Sequence, residues 1–204
     1  MKRNTTAASL VGMLTVSLTL ASCAEADPET EETGAHDEHT VEATDGEYNE
    51  ADIEYISGMV AHHQQAVEMA DILLEKNDAD SDVAALAEDI RAAQQPEIDQ
   101  MESWLEAWGH EPDEDGDHGT HDAQGDGHEG MMSEQDLDKL EAADGEDASR
   151  LFLEQMIVHH EGAVRMADEH LDSGENPDAL ELSEDVIADQ SAEIEQMEEM
   201  LDSL

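Results

Sequence analysis

Two stretches of the chain carry imidazole and thioether groups at the same spacing. Met59-Val60-Ala61-His62-His63-Gln64-Gln65-Ala66-Val67-Glu68-Met69-Ala70 and Met156-Ile157-Val158-His159-His160-Glu161-Gly162-Ala163-Val164-Arg165-Met166-Ala167 share the pattern M-x-x-H-H-x-x-A-V-x-M-A. Both side-chain types ligate metals, and together they form a soft set that suits copper, above all Cu(I). Other metals fit less well. A di-iron carboxylate centre in a helical bundle needs Glu-x-x-His on two helices, and that pattern occurs nowhere in the sequence. Structural zinc asks for cysteine or more carboxylate.

The motif must ride on helices. At about 100° per residue, His62 and His63 fall within one apolar arc with Ile56, Met59, Ala66, Met69 and Leu73, while Glu68 and Asp71 lie opposite. The second copy has the same wheel, with His170 in the place of Leu73 as an auxiliary candidate ligand. A second helix follows each copy. Ile90, Gln94, Ile98, Met101 and Leu105 form one stripe; Val186, Gln190, Ile194, Met197 and Leu201 form its counterpart. With a turn near residue 78, Gln94 stands level with His62. Gln190 stands in the same relation to His159 and His160. A buried glutamine needs a hydrogen-bond partner, and an inward histidine is the expected one, fixed in its tautomer by the bond. The expected core therefore holds four His and two Gln, flanked by Met59, Met69, Met101, Met156, Met166 and Met197. The competing reading is structural: methionine is common core filler, and a polar layer can simply set helix register.

No period-2 strand pattern appears, so the fold is all-α. Two tandem helical hairpins can bury their faces only against each other, which predicts an antiparallel four-helix bundle. In an up-down-up-down arrangement the two motif helices would be parallel and diagonal. The hairpins span 48–109 and 146–204. Between them lie a His-, Asp- and Gly-rich linker over 110–130 and a connector helix within 131–145, weakly capped by Ser133-x-x-Asp136. The linker histidines His118 and His121 form a weak auxiliary metal site at most. Asn176-Pro177 reads as an N-cap followed by proline at the first helical position. Gly109 and Gly174 stand where helix ends want a left-handed residue. Pro96 should kink its helix or remove one hydrogen bond.

The start of the chain addresses it out of the cytoplasm. Lys2 and Arg3 precede a short apolar stretch that ends in Leu20-Ala21-Ser22-Cys23, which resembles the lipobox of bacterial lipoproteins. That resemblance implies a signal peptide over 1–22 and a diacylglyceryl anchor on Cys23, holding the protein at the outer face of the cell membrane. Cys23 is the only cysteine among 204 residues, so no intramolecular disulfide forms. Residues 23–47 are acidic and poor in apolar groups and read as a disordered tether. With 7 basic against 56 acidic side chains, the formal charge is −49. Nucleic acid is excluded as a partner, because phosphate binding needs cations. Salt adaptation and cation gathering both fit such a charge.

The repeated His-His motif, the Q-x-x-E-I-x-x-M helices and the Gly130-Met131-Met132-Ser133 connector make residues 48–204 resemble the domain-of-unknown-function family three hundred and five. The resemblance implies a ferritin-like four-helix bundle that is exported, with copper binding or copper tolerance in some members. Three functions are then in play: a surface lipoprotein that buffers or delivers copper, a helical domain whose His/Gln layer only sets register, and a metal-dependent redox enzyme. The enzyme is the least favoured, since few general acids lie on the inward faces; Glu97 and Glu193 are off the main stripes.

Overall fold

In the computed structural model, which describes residues 46–110 and 130–204, the chain forms α1 (Glu50–Leu74), α2 (Ser81–Ala107), α3 (Glu134–Ala142), α4 (Gly145–Ser173) and α5 (Pro177–Ser203). No strand occurs among the described residues. Local chemistry places the ends. Asn49 and Asp52 make a capping box at the start of α1. Ser133 caps α3. Asn176 caps α5 through Asp178 N and Ala179 N, with Pro177 in the first turn. Gly109 closes α2 at φ 78°, and His110 N reaches back to Leu105 O at 2.8 Å. α2 runs unbroken through Pro96, which lacks the N–H for one helix bond.

Gly174 departs from the expected left-handed cap: its φ is −71°. The donors that a left-handed turn would return to α4 go elsewhere. Glu175 N and Asn176 N both bond to the carboxylate of Asp52, each at 3.1 Å from Oδ1. Glycine is needed here for space, because a Cβ would collide with His170 Nε2 and with Asp52 Oδ1.

That carboxylate is completely buried. Besides the α4–α5 turn it accepts from Asn49 N at 2.7 Å and pairs with His170 Nε2 at 3.0 Å. Burial alone would push its pKa up. The bonds from Asn49, Asn176, His170 and Glu175 outweigh burial and hold it below the usual carboxylate value. One residue thus ties the start of α1 to the end of α4.

This contact overturns the up-down-up-down arrangement. At the opposite end, Gly145 N bonds Asp78 Oδ1, and Asp80 N bonds Ser149 Oγ, so the start of α4 meets the turn that follows α1. α1 and α4 are therefore antiparallel, not parallel, and they pack directly on each other rather than standing as a separated diagonal. α2 flanks α1, and α5 flanks α4. The reason lies in the connection. The chain leaves α2 at one end of the bundle and enters α4 at the other, with α3 packed against α1 and α4 on the way. A single long crossover of this kind is the ferritin-like variant of the bundle.

The core falls into two clusters. One contains Tyr55, Ile56, Met59, Ile98, Met101, Trp104, Met166 and Val186; the other contains Met69, Leu73, Leu86, Ile90, Phe152, Leu153, Met156 and Met197. No helix among the described residues is long and apolar enough to cross a membrane.

Candidate metal centre

The histidines fill the gap between those clusters. His62, His63, His159 and His160 are all fully buried, and Gln94 and Gln190 are nearly so. The apolar arc accounts for this: α1 turns Ile56, Met59, Ala66 and Met69 inward, and the two rings lie among them. Because α1 and α4 cross antiparallel at this level, His62 faces His159, with ring centroids 3.7 Å apart and planes at 43°.

The methionines sort by cluster. Met59, Met101 and Met166 lie on one side of the layer; Met69, Met156 and Met197 lie on the other. Each set draws from three helices, and aligned positions of the two motifs fall on opposite sides. All six are buried.

Two of the histidines are held by carboxylates, and Gln94 Oε1 and Gln190 Oε1 have no hydrogen-bond partner among the described residues. His63 Nε2 lies 2.8 Å from Glu97 Oε2, and His160 Nε2 lies 2.6 Å from Glu193 Oε2. Both glutamates sit one residue before the inward isoleucine of their helix, where the side chain reaches the ring edge while staying partly in water. Their repetition in both Q-x-x-E-I stretches was the signal available in the sequence. His63 Nδ1, His160 Nδ1 and both ring nitrogens of His159 are buried without a hydrogen-bond partner among the described residues. Burial, reinforced by His62, His160 and His63, holds His159 well below the usual imidazole value. The ring is therefore neutral at neutral pH and keeps a lone pair.

His170 is held outside this layer. Nδ1 bonds Ser183 Oγ at 2.7 Å, Nε2 bonds Asp52, and the ring stacks on Tyr55 at 4.1 Å. Both nitrogens are engaged by protein groups. No cluster of three or more His, Cys, Asp or Glu able to hold a metal occurs among the described residues. Cys23, His118 and His121 lie outside the described residues.

The connector is seated on the layer. Gly130, at φ 81°, lies so close to α4 that a Cβ would meet Val158 O at 2.7 Å and Gly162 Cα at 2.8 Å. Gln65 then clamps Met132 through Met132 N to Oε1 at 2.6 Å and Nε2 to Met132 O at 3.0 Å.

The profile of a domain of unknown function, DUF305, matches residues 52–201, which include the histidine motifs, both glutamates and the connector. The chain belongs to the DUF305 family. Solved structures agree. A DUF305 fragment from Deinococcus radiodurans is 33% identical, with a TM-score of 0.66, over 76% of this chain and 98% of that one. A DUF305 protein of Streptomyces coelicolor, described as a candidate secreted protein, is 28% identical with a TM-score of 0.66, over 75% and 93%. CopM, solved in a Cu(I)-bound form, is 33% identical with a TM-score of 0.59, over 74% and 96%. CopM has also been solved in Cu(II)-bound and silver-bound forms. No curated protein matches the chain. Metal binding is thus found among the relatives of this DUF305 chain, in CopM.

Proposed function

We propose that this protein is exported, anchored to the outer face of the bacterial membrane through Cys23, and binds copper to buffer or deliver it at the cell surface. The observation that carries the reading is the buried histidine layer. His63, His159 and His160 keep ring nitrogens without a hydrogen-bond partner among the described residues, and thioethers close the layer on both sides. Buried polar atoms without partners are costly, and a soft cation would use them. The residues that would hold it are His62, His63, His159 and His160 with Met59, Met101 and Met166 on one side and Met69, Met156 and Met197 on the other. Imidazole and thioether together favour Cu(I) over harder ions. The copper- and silver-bound structures of CopM support the same choice.

The test is a titration of the leaderless protein with Cu(I) beside a competing chelator, paired with thermal melts. Sub-micromolar affinity and a rise in melting temperature are expected, since a ligand that binds only the folded state stabilises it by mass action. Replacing His62, His63, His159 and His160 with alanine should abolish both. Unchanged melting with and without copper would leave the register-setting role as the function of the layer. For the anchor, lipid labelling of the expressed protein should disappear in Cys23→Ser.

A further inference from the structure

We propose that Glu97 and Glu193 are positioning residues: each holds its histidine as the Nε2–H tautomer and so makes Nδ1 the nitrogen that His63 and His160 present to a ligand. A carboxylate can only accept hydrogen bonds. At 2.8 Å and 2.6 Å from Nε2, the two glutamates therefore place the proton of a neutral ring on Nε2 and the lone pair on Nδ1. In both rings Nδ1 is the buried nitrogen that no described protein group engages. The arrangement occurs twice, on different helix pairs, with the same atoms. The rings are wholly buried while the carboxylates keep 30% and 22% of their side-chain surface, so each glutamate meets the ring from the solvent side and Nδ1 remains within the protein. Outer partners of this kind orient a ligand ring and raise its basicity, and their loss typically lowers metal affinity by about 10- to 100-fold. Gln94 and Gln190, buried at the same level, do not substitute, since their carbonyl oxygens bond to nothing described.

The affinity half of this inference rests on the copper reading; the tautomer half does not. The experiment uses the metal-free protein labelled with ¹⁵N at histidine, at mildly alkaline pH. Two-bond proton–nitrogen correlations report which nitrogen of each ring carries the proton. His63 and His160 should both be Nε2–H. Glu97→Leu should release His63 alone and Glu193→Leu should release His160 alone. Glu97→Gln and Glu193→Gln, which keep an accepting oxygen, should largely restore the tautomer. Cu(I) affinity should fall roughly 10- to 100-fold in each leucine variant and recover in the glutamine variants. A mixed or Nδ1–H form in the wild-type protein overturns the proposal whatever copper does. So does a leucine variant that keeps both tautomer and affinity. Nε2–H rings in a wild-type protein that binds no copper would sustain the tautomer assignment and refute the copper reading instead.

Discussion

Removing the Asp52 carboxylate should unlock one end of the bundle. In Asp52→Ala, the backbone donors of Asn49, Glu175 and Asn176 and the ring of His170 lose their acceptor together. The lost α1 capping bond costs about 1 kcal/mol. Hydrogen bonds to a charged group contribute roughly 1.5–3 kcal/mol each. These bonds share one acceptor and do not add. Leaving a buried donor without an acceptor costs about 1–3 kcal/mol, and with several donors orphaned together the expected loss is roughly 3–5 kcal/mol. For a domain of this size, about 2–4 °C of melting temperature follows each kcal/mol, so the midpoint should fall by roughly 6–20 °C. Urea denaturation at neutral pH measures it directly. Asp52→Asn, which keeps the shape but supplies one accepting oxygen, should lose less. The gap to the wild type should also close in acid. Asp52 has a lowered pKa, so its contribution is present above the ordinary carboxylate value and is lost as pH falls through the depressed one. A loss below about 1 kcal/mol for the alanine variant would refute the role of the carboxylate as the tie between α1 and the α4–α5 turn.

Other outcomes follow from the same structure. Gly174→Ala should destabilise the fold by about 1–3 kcal/mol, because the added methyl meets His170 and Asp52; an unchanged denaturation midpoint would show that the turn yields freely. The metal-free protein should lose stability below about pH 6.5. His159 and His170 are both depressed, mainly by burial, so the unfolded chain takes up their protons first, and each contributes a slope of up to about 1.4 kcal/mol per pH unit. A flat stability between pH 7 and 5 would contradict this. Met59→Leu and Met69→Leu conserve volume and should cost under about 1.5 kcal/mol while weakening Cu(I) binding; isothermal titration beside a urea melt separates the two effects, and equal affinity in both variants would remove these thioethers from the ligand set.

The helical wheels of the motif helices and of the helices that follow them place four histidines and two glutamines inside, because burial on one face depends only on local periodicity. Capping at Asn176 and Ser133 was legible for the same reason. The direction of α4 was not. A long connection permits either sense, and what selects the antiparallel one is contact between residues far apart in the chain, such as Asp52 with His170. The capping box of Asn49 and Asp52 is local, and nothing in the spacing shows that Asp52 also takes the donors of Glu175 and Asn176. Glu97 and Glu193 lie off the inward stripe, so the wheel does not bring them to a histidine. A carboxylate on the flank of a helix reaches a buried ring edge only when the neighbouring helix presents that edge to it, and a wheel drawn for one helix cannot contain this. Gly174 shows the converse case: a glycine at a helix end fits the left-handed rule by position, yet here it makes room for a neighbour.

The histidine layer is divided between two hairpins. One supplies His62, His63 and Glu97, the other His159, His160 and Glu193, and α1 meets α4 along the seam. An ion held there would act as a rivet between two leaves, and its release would be coupled to how far the leaves part. Exchange with the outside then becomes a matter of hinge opening along a helix–helix joint, with Glu97 and Glu193 at the rim where each leaf meets water.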